Sequence, residues 1–360
     1  MPTFTGTNSA EILPSLVLGP LQALGNDVVD ALGGNDIAIG WSGDDVIRGG
    51  SGADVIIGGL LNAAGVITLS GNDTADYTNS AAGVTVDLST VVNLVLPILG
   101  LNVQLTGASQ GFGGDAEGDY MVGILNLLGS NNNDSLKGSA VSNTLNGQDG
   151  NDILNDGGFG TAADTLIGGD GNDTLIVYNG DDVIIETTGG GNDRVAAGVD
   201  YKLANGVSVE TLNTTSLHAT YAVNLTGNEL KQLIRGNDGA NVIDGARGND
   251  TLYGMDGADT FGFSTQLGAG NVDRIADFRV EDDQITLDAS IFTTLAFGAL
   301  DASRFMNSAL GPRDADDRIL YNSDTGSLFY DADGIGGAAA VKFATLTAGL
   351  SLSAADFSII

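Results

Sequence analysis

Gly245-Ala246-Arg247-Gly248-Asn249-Asp250-Thr251-Leu252-Tyr253-Gly254-Met255-Asp256-Gly257-Ala258-Asp259-Thr260-Phe261 is one nine-residue unit written twice. The unit reads small, any, any, Gly, any, Asp, any, apolar, any. Asp250 and Asp259 are nine apart, and so are Leu252 and Phe261. A short fixed period of this kind marks a solenoid, in which each unit buries its apolar face only against its neighbours. The Gly-rich six residues suit a tight turn, and the remaining three make a short strand that can point one side chain inward. Two units, eighteen residues, then close one coil with two strands and two turns. The turns fall in two rows, one along each edge of the stack.

The same unit recurs along the chain. A first array sets Asp27, Asp36, Asp45 and Asp54 nine apart, with Val29, Ala38, Ile47 and Ile56 two residues behind them. A second array carries Asp134, Asn143, Asp152, Asp164, Asp173, Asp182 and Asp193 at the acidic position, backed by Leu136, Leu145, Leu154, Leu166, Leu175, Ile184 and Val195. Its steps from 152 to 164 and from 182 to 193 are longer than nine. A third array runs through Gln232, Asn241, Asp250 and Asp259, with Ile234, Ile243, Leu252 and Phe261 behind. Between the first two arrays the register breaks, and Val84-Thr85-Val86-Asp87-Leu88 alternates like a strand. After Asn271 the Gly density falls. Gln284–Leu287 predicts a strand, and Ile319–Tyr321 with Leu328–Tyr330 flank a turn sequence, Asn322-Ser323-Asp324-Thr325-Gly326, that predicts a hairpin. The expected fold is all-β: a right-handed parallel β-roll or β-solenoid of nonapeptide repeats, with a β-rich insert and a C-terminal β cap. The expected divisions are a first array over 1–76, the insert over 77–129, a second array over 130–200, a linker coil and third array over 201–265, and the cap over 266–360.

Charge narrows the function. The net charge is −33, and only six of the 46 acids are Glu. Such a chain repels nucleic acid, whose phosphates need Lys and Arg. With 42% hydrophobic residues it is also too apolar for a solvated acidic tail. There is no Cys, so disulfides and thiolate metal sites are excluded. Met1-Pro2-Thr3-Phe4-Thr5-Gly6 has no basic residue ahead of an apolar run, which argues against a cleaved secretory signal. Val91 to Leu105 is apolar but interrupted by Asn93, Pro97, Gly100 and Asn102, too short and too broken for a transmembrane segment.

Stacked turns bring their acids together: Asp27 beside Asp45, Asp36 beside Asp54, Asp164 beside Asp182. Carboxylates packed this way repel unless a cation lies between them. Ca2+ takes six to eight oxygens from carboxylates and carbonyls, whereas Mg2+ prefers a rigid octahedron and keeps its waters. Zinc lacks its usual Cys and His ligands here. The candidate ligands are therefore Asp27, Asp36, Asp45, Asp54, Asp134, Asp152, Asp164, Asp173, Asp182, Asp250 and Asp259. The turn glycines Gly49, Gly52, Gly168, Gly171, Gly245 and Gly248 join them, and several Ca2+ ions are expected.

These residues resemble the RTX, or haemolysin-type calcium-binding, family, whose signature is Gly-Gly-x-Gly-x-Asp-x-apolar-x. The resemblance extends over about two thirds of the chain, with departures at Ala31-Leu32, Trp41, Asn143, Gln232 and Asn241 that are expected to leave several sites empty. It implies a calcium-loaded β-roll, an extracellular location and export by a type I secretion apparatus reading an uncleaved C-terminal signal. The segment from Asp273 onward is similar to the cap of serralysin-type proteases, and Asp356-Phe357-Ser358-Ile359-Ile360 to the ending of such signals. Because metal binding is coupled to folding, the roll is expected to be largely unfolded without calcium.

Catalytic motifs are sparse. A zinc protease would need His-Glu-x-x-His, and the chain has one His, His218. Gly107-Ala108-Ser109-Gln110-Gly111 has the spacing of a nucleophile elbow but no helix signal after it. Asp331-Ala332-Asp333-Gly334 has a misplaced Gly and no closing Glu for an EF-hand loop. The expected role is non-catalytic, at a cell surface or in matrix polysaccharide. The alternative is a secreted carbohydrate-active enzyme with its groove on the insert.

Overall fold

The computed structural model describes residues 3–13, 25–61, 67–98, 101–158, 160, 162–307, 314–335 and 337–360. The chain divides into two compact units, Met1–Asp193 and Arg194–Ile360. In both, three-residue strands stack in parallel as a right-handed β-solenoid.

In the first unit one sheet runs Thr3–Thr5, Val28–Asp30, Val46–Arg48, Asp73–Asp76, Ile124–Leu128, Thr144–Asp149, Thr165–Asp170 and Val183–Ile185, parallel throughout. The opposite sheet begins Ile12–Leu13, Ile37–Ile39, Val55–Ile57 and Tyr120–Val122, and later continues Ser135–Lys137, Ile153–Asn155 and Thr174–Val177. Val28 pairs with Val46 and Ile37 with Val55, which is the eighteen-residue coil expected from two nonapeptides.

Between these two runs stands an antiparallel pair, Thr85–Ile98 with Leu101–Phe112, whose turn residues 99–100 lie outside the described residues. Its base belongs to the solenoid: Thr85–Asp87 lies parallel to Ser135–Lys137, and Ser109 pairs with Met121. Within 77–129, then, the chain leaves the coils as a hairpin and rejoins them at Tyr120 and Ile124.

The second unit has the same construction. Arg194–Ala197, Thr211–Thr214, Leu233–Arg235, Thr251–Tyr253 and Asp273–Ile275 form one parallel ladder. Tyr201–Lys202, Leu225–Thr226, Val242–Asp244, Thr260–Phe263, Gln284–Leu287 and Phe357–Ile359 form the other. Residues 200–224 lack the acidic motif yet still coil, because Leu203, Val209, Leu212 and Val223 fill the interior. The cap adds the hairpin foreseen in the sequence, Ile319–Asn322 with Ser327–Tyr330, and Val341–Thr345 returns from it to lie parallel to Asp273–Ile275.

Every apolar residue two places behind a ligand position is buried, from Val29 and Ala38 to Leu252 and Phe261; the most accessible, Ile184, is 5% exposed. One fully buried Leu or Ile contributes about 1.5–3 kcal/mol, so the spine is a sum of many equal, small steps. No helix among the described residues is long and apolar enough to cross a membrane.

Candidate metal centre

The acids that repeat every nine residues end up inside the turns. Asp27, Asp36, Asp45, Asp54, Asp152, Asp173, Asp250 and Asp259 are all at most 2% exposed. Each row is a ladder. Asp45 Oδ1 accepts the Asp27 amide at 2.7 Å, Asp54 Oδ1 the Asp36 amide at 2.7 Å, and Asp182 Oδ1 the Asp164 amide at 2.9 Å. Asp152, Asp173 and Asp193 continue it by accepting the amides of Asp134, Asp152 and Asp173. In the second unit Asp250 accepts from Gln232 and Asp259 from Asn241. A neighbouring ladder has the opposite polarity. Asn35 accepts the amide of Ala53, Asn133 that of Asn151, and Asn151 that of Asn172, each one coil further on. The two side chains of each Asn-Asp step thus tie one turn to the coils before and after it.

One oxygen of each carboxylate is used in this way, and the other is not. Oδ2 of Asp27, Asp36, Asp45, Asp54, Asp73, Asp152, Asp173, Asp250 and Asp259 is buried without a hydrogen-bond partner. A buried carboxylate oxygen left in this state costs several kcal/mol unless a cation or proton meets it. The glycines keep its surroundings open. A methyl group on Gly49 would strike Asp54 Oδ2, and one on Gly245 would strike Asp250 Oδ2. Gly52, at φ 142°, serves the stacking instead, since a methyl there would enter the carbonyl of Gly34 one coil back. Gly168, Gly171 and Gly248 repeat these two roles.

The turns sort themselves by this criterion. Asp134, expected as a ligand, already has both oxygens engaged: Oδ1 accepts from Val84 and Oδ2 from the Ser130 amide at 2.6 Å. Its turn has Ser and Asn where the fuller copies have Gly. Asn143 and Asn241 likewise accept from Ser139 and Asn237 and donate to the Leu125 and Val223 carbonyls. Gln232 closes on Asn228. These turns complete themselves with protein atoms; the Gly-rich Asp turns do not.

Electrostatics follow from burial. Desolvation raises the carboxyls of Asp45 and Asp54 to about 6, and those of Asp152 and Asp259 to about 7, well above their ordinary 3.8. Neighbouring acids push the same way. Asp36 adds to Asp54, and Asp134 and Asp173 add to Asp152. Without a counter-ion these groups hold protons close to neutrality.

The structure also places acids here that the nonapeptide count overlooks. Asp119 accepts the Asp54 amide at 2.8 Å and the Tyr77 hydroxyl at 3.1 Å, extending the row after the hairpin excursion. Asp73 accepts from Asp45, Asp273 from Asp250 and Asp283 from Asp259. Among the described residues, two groups of three carboxylates bring ligand atoms within 4.8 Å of one another: Asp156, Asp164 and Asp182, and Asp173, Glu186 and Asp193. Asp156 and Glu186 occupy positions where the pattern expects Gly, so only the irregular spacing around them signals anything unusual.

The catalytic motifs resolve into structure. Ser109 lies within the continuous strand Leu101–Phe112, not at a strand-to-helix turn, and its hydroxyl contacts the Met121 carbonyl at 3.5 Å. The His218 side chain is 87% exposed beside Asp238. Asp331 Oδ1 accepts the Asp333 and Gly334 amides and closes the turn that follows Ser327–Tyr330.

The fold and site together define a parallel β-solenoid whose edges are lined by buried aspartates one coil apart. The family model for the RTX calcium-binding nonapeptide repeat matches the chain in four segments, residues 23–59, 128–158, 160–185 and 226–261. These segments, little more than a third of the chain, are similar to RTX calcium-binding nonapeptide repeats and lie within the parallel β-solenoid described above. No curated protein matches it.

Proposed function

We propose that this chain is a secreted, non-catalytic RTX protein that folds on Ca2+ outside the cell and acts at a cell surface or in matrix polysaccharide as an adhesive element. The observation that carries the reading is the set of partnerless Oδ2 atoms, buried in register along both rows of turns. Hard cations with flexible oxygen coordination suit them, and Ca2+ is the one whose ligand demand matches. Asp27, Asp36, Asp45, Asp54, Asp152, Asp173, Asp250 and Asp259 would hold the ions, helped by carbonyls of turns such as Gly49–Gly52, Gly168–Gly171 and Gly245–Gly248. Asp164 and Asp182 would share one more. When bound, Ca2+ supplies the positive charge that lets these carboxylates stay ionised side by side.

The export proposal gains a constraint from the fold. Phe357 and Ile359 are each 1% exposed, in a strand paired with Gln284–Leu287. A type I secretion apparatus reading this segment would have to do so before folding. A calcium-poor interior would supply that condition, since extracellular modules bind Ca2+ with Kd on the order of 10⁻⁴–10⁻³ M.

Equilibrium dialysis of the full chain, with circular dichroism in chelator and in millimolar Ca2+, tests the reading. Several bound ions and a calcium-dependent gain of β signal are expected. No binding, or an identical spectrum in chelator, would overturn it. Glycan-array binding of the calcium-loaded protein tests the surface role, and failure to retain any polysaccharide would remove that part alone.

A further inference from the structure

Two turns of the second array are longer than the period allows, those leading to Asp164 and to Asp193. Both are unusual in a second respect. Four residues after the ligand position stands Gly40, Gly49, Gly147, Gly168, Gly245 or Gly254 in the regular copies. In the two long turns that residue is Asp156 or Glu186, following Asp152 and Asp182. This is the place where any side chain reaches towards the stacked carboxylates, as the clash between a methyl on Gly168 and both Asp173 Oδ2 and Glu186 Oε1 makes plain.

The two added acids differ in what surrounds them. Asp156 is satisfied by the protein, its oxygens accepting the Gly158 and Tyr178 amides. Glu186 is 4% exposed, and neither Oε1 nor Oε2 has a hydrogen-bond partner. Burial, with Asp193 and Asp173 alongside, raises its carboxyl to about 8; the amides of Gly168 and Gly169 face it and oppose that shift, but neither meets hydrogen-bond geometry. Asp173 Oδ2 beside it is equally unpartnered. A carboxyl buried in this way needs a proton or a cation at its oxygens, whereas Asp156 is met by backbone amides.

We propose that Asp173, Glu186 and Asp193 form a three-carboxylate Ca2+ site in which Glu186 is an added ligand. The site fills before the regular turns, each of which offers a single Asp per coil. The proposal rests on the calcium reading above. Ligand type favours Ca2+, which accepts several carboxylate oxygens in flexible geometry, whereas Mg2+ demands a near-ideal octahedron and keeps its waters. The ligand atoms here lie within 4.8 Å of one another. Three formal negative charges, rather than one or two, also favour tighter binding of Ca2+ and, further, of a trivalent lanthanide.

The test is calorimetric titration of the full chain with Ca2+, comparing wild type, Glu186→Gln and the exposed control Glu281→Gln. Wild type and the control should show one site about tenfold tighter than the rest, in keeping with tuning by ligand charge count. Glu186→Gln should lose that site and keep the others. An unchanged isotherm in Glu186→Gln, with the other sites still filling, overturns the proposal and leaves the calcium reading intact. A wild type that binds no Ca2+ removes both. Should Glu186→Gln fail to fold, anomalous diffraction from wild-type crystals soaked in terbium decides. A peak among the three carboxylates supports the site, and peaks at regular turns with none here refute it.

Discussion

The repeat coils and the C-terminal cap use the same acidic, Gly-rich vocabulary and solve opposite problems. In the coils each strand contributes one aliphatic side chain, and the acids are buried with an oxygen to spare. In the cap the interior is aromatic: Phe292 meets Tyr330 at 5.0 Å and Phe343 at 5.3 Å, and Phe343 meets Phe263 at 5.0 Å. Its buried acids are answered by protein. Asp356 accepts from the Ser353 amide at 2.6 Å and hydroxyl at 3.2 Å, and Asp317 from the Asp314 amide at 2.7 Å. Burying an aspartate is thus compatible with a self-sufficient fold when turn amides and hydroxyls meet its carboxylate. Where glycine has replaced those donors, the carboxylate keeps a buried oxygen without a partner.

The largest expected effect is chelation. Hydrogen exchange in EGTA should show the Gly-rich coils, such as 25–57 and 143–185, losing protection, while strands around Phe292, Tyr330 and Phe343 keep more of theirs. Equal loss in both regions would erase the contrast. The pH dependence carries the same signature. Folded carboxyls at about 6 in Asp45 and Asp54, and about 7 in Asp152 and Asp259, lie above the unfolded 3.8. The chelated fold therefore binds more protons than the unfolded chain between pH 4 and 7. The stability these groups confer is complete below the unfolded value and disappears as pH rises through the folded one. Thermal melts in chelator should thus move upward from pH 8 to pH 5. With Ca2+ present they should move downward over the same interval, because protons compete with the ion. A chelated protein that melts lower at pH 5 than at pH 8 would contradict this account.

Next in size, Phe343→Ala should cost about 3–5 kcal/mol, as for other buried Phe deletions, and by the same amount at every calcium concentration above saturation. Asp54→Asn should be calcium-conditional. The amide keeps an oxygen for the Asp36 N–H, now bound at 2.7 Å, but removes the charge. In Ca2+ at a hundred times Kd the variant should lose up to about 2.7 kcal/mol, the linkage contribution of one site. In chelator it should gain stability, moving its turn toward the self-closed state of Asn143 and Asn241. Chemical denaturation with and without Ca2+ separates the two, and a calcium-independent loss in Asp54→Asn would break the distinction between coil and cap.

Much of this contrast was legible in the sequence. The nine-residue beat identified the inward column from Val29 to Phe261, because a side chain in a three-residue parallel strand has only one way to face the interior. It also paired Asp27 with Asp45 and Asp36 with Asp54, since coil length follows from the period. What it could not reveal is register across interruptions. Asp119 joins Asp54 across 65 residues because the hairpin leaves and returns, a tertiary event with no periodic trace. Asp273 and Asp283 follow Asp250 and Asp259 through turns of different length. Glu186 and Asp156 hide in the opposite way, in register but with the wrong residue type for the pattern. The difference between Asp134 and Asp152 depends on whether Ser130 or Gln148 occupies the turn, a question of hydrogen bonding rather than spacing.

The smallest effect tests whether the coil imposes its turn shape on residues that dislike it. Among the described residues five non-glycines have positive φ, including Leu32 at 72°, Trp41 at 73° and Met255 at 79°; Leu32 and Met255 stand where other copies have Gly50, at 82°, and Gly169, at 113°. An L-residue in this region costs roughly 1–2 kcal/mol. The coil tolerates it because the backbone on either side is pinned: Ser51 N–H donates to the Leu32 carbonyl at 3.1 Å, and Gly34 N–H to the Ser51 carbonyl at 2.9 Å. Leu32 is 42% exposed, so little apolar burial opposes its removal. Leu32→Gly should relieve the strain, and the extra freedom of glycine in the unfolded chain takes back about 0.4–1 kcal/mol of that gain. A net stabilisation of about 0.5–1 kcal/mol remains, measurable by denaturation in saturating Ca2+. Gly50→Ala is the converse. Its methyl meets the Leu32 carbonyl at a positive φ, so it should destabilise by more than Leu32→Gly gains. If Leu32→Gly lowers stability instead, the leucine is packing against something that outweighs its backbone, and the turn is shaped by its side chains rather than by its neighbouring coils.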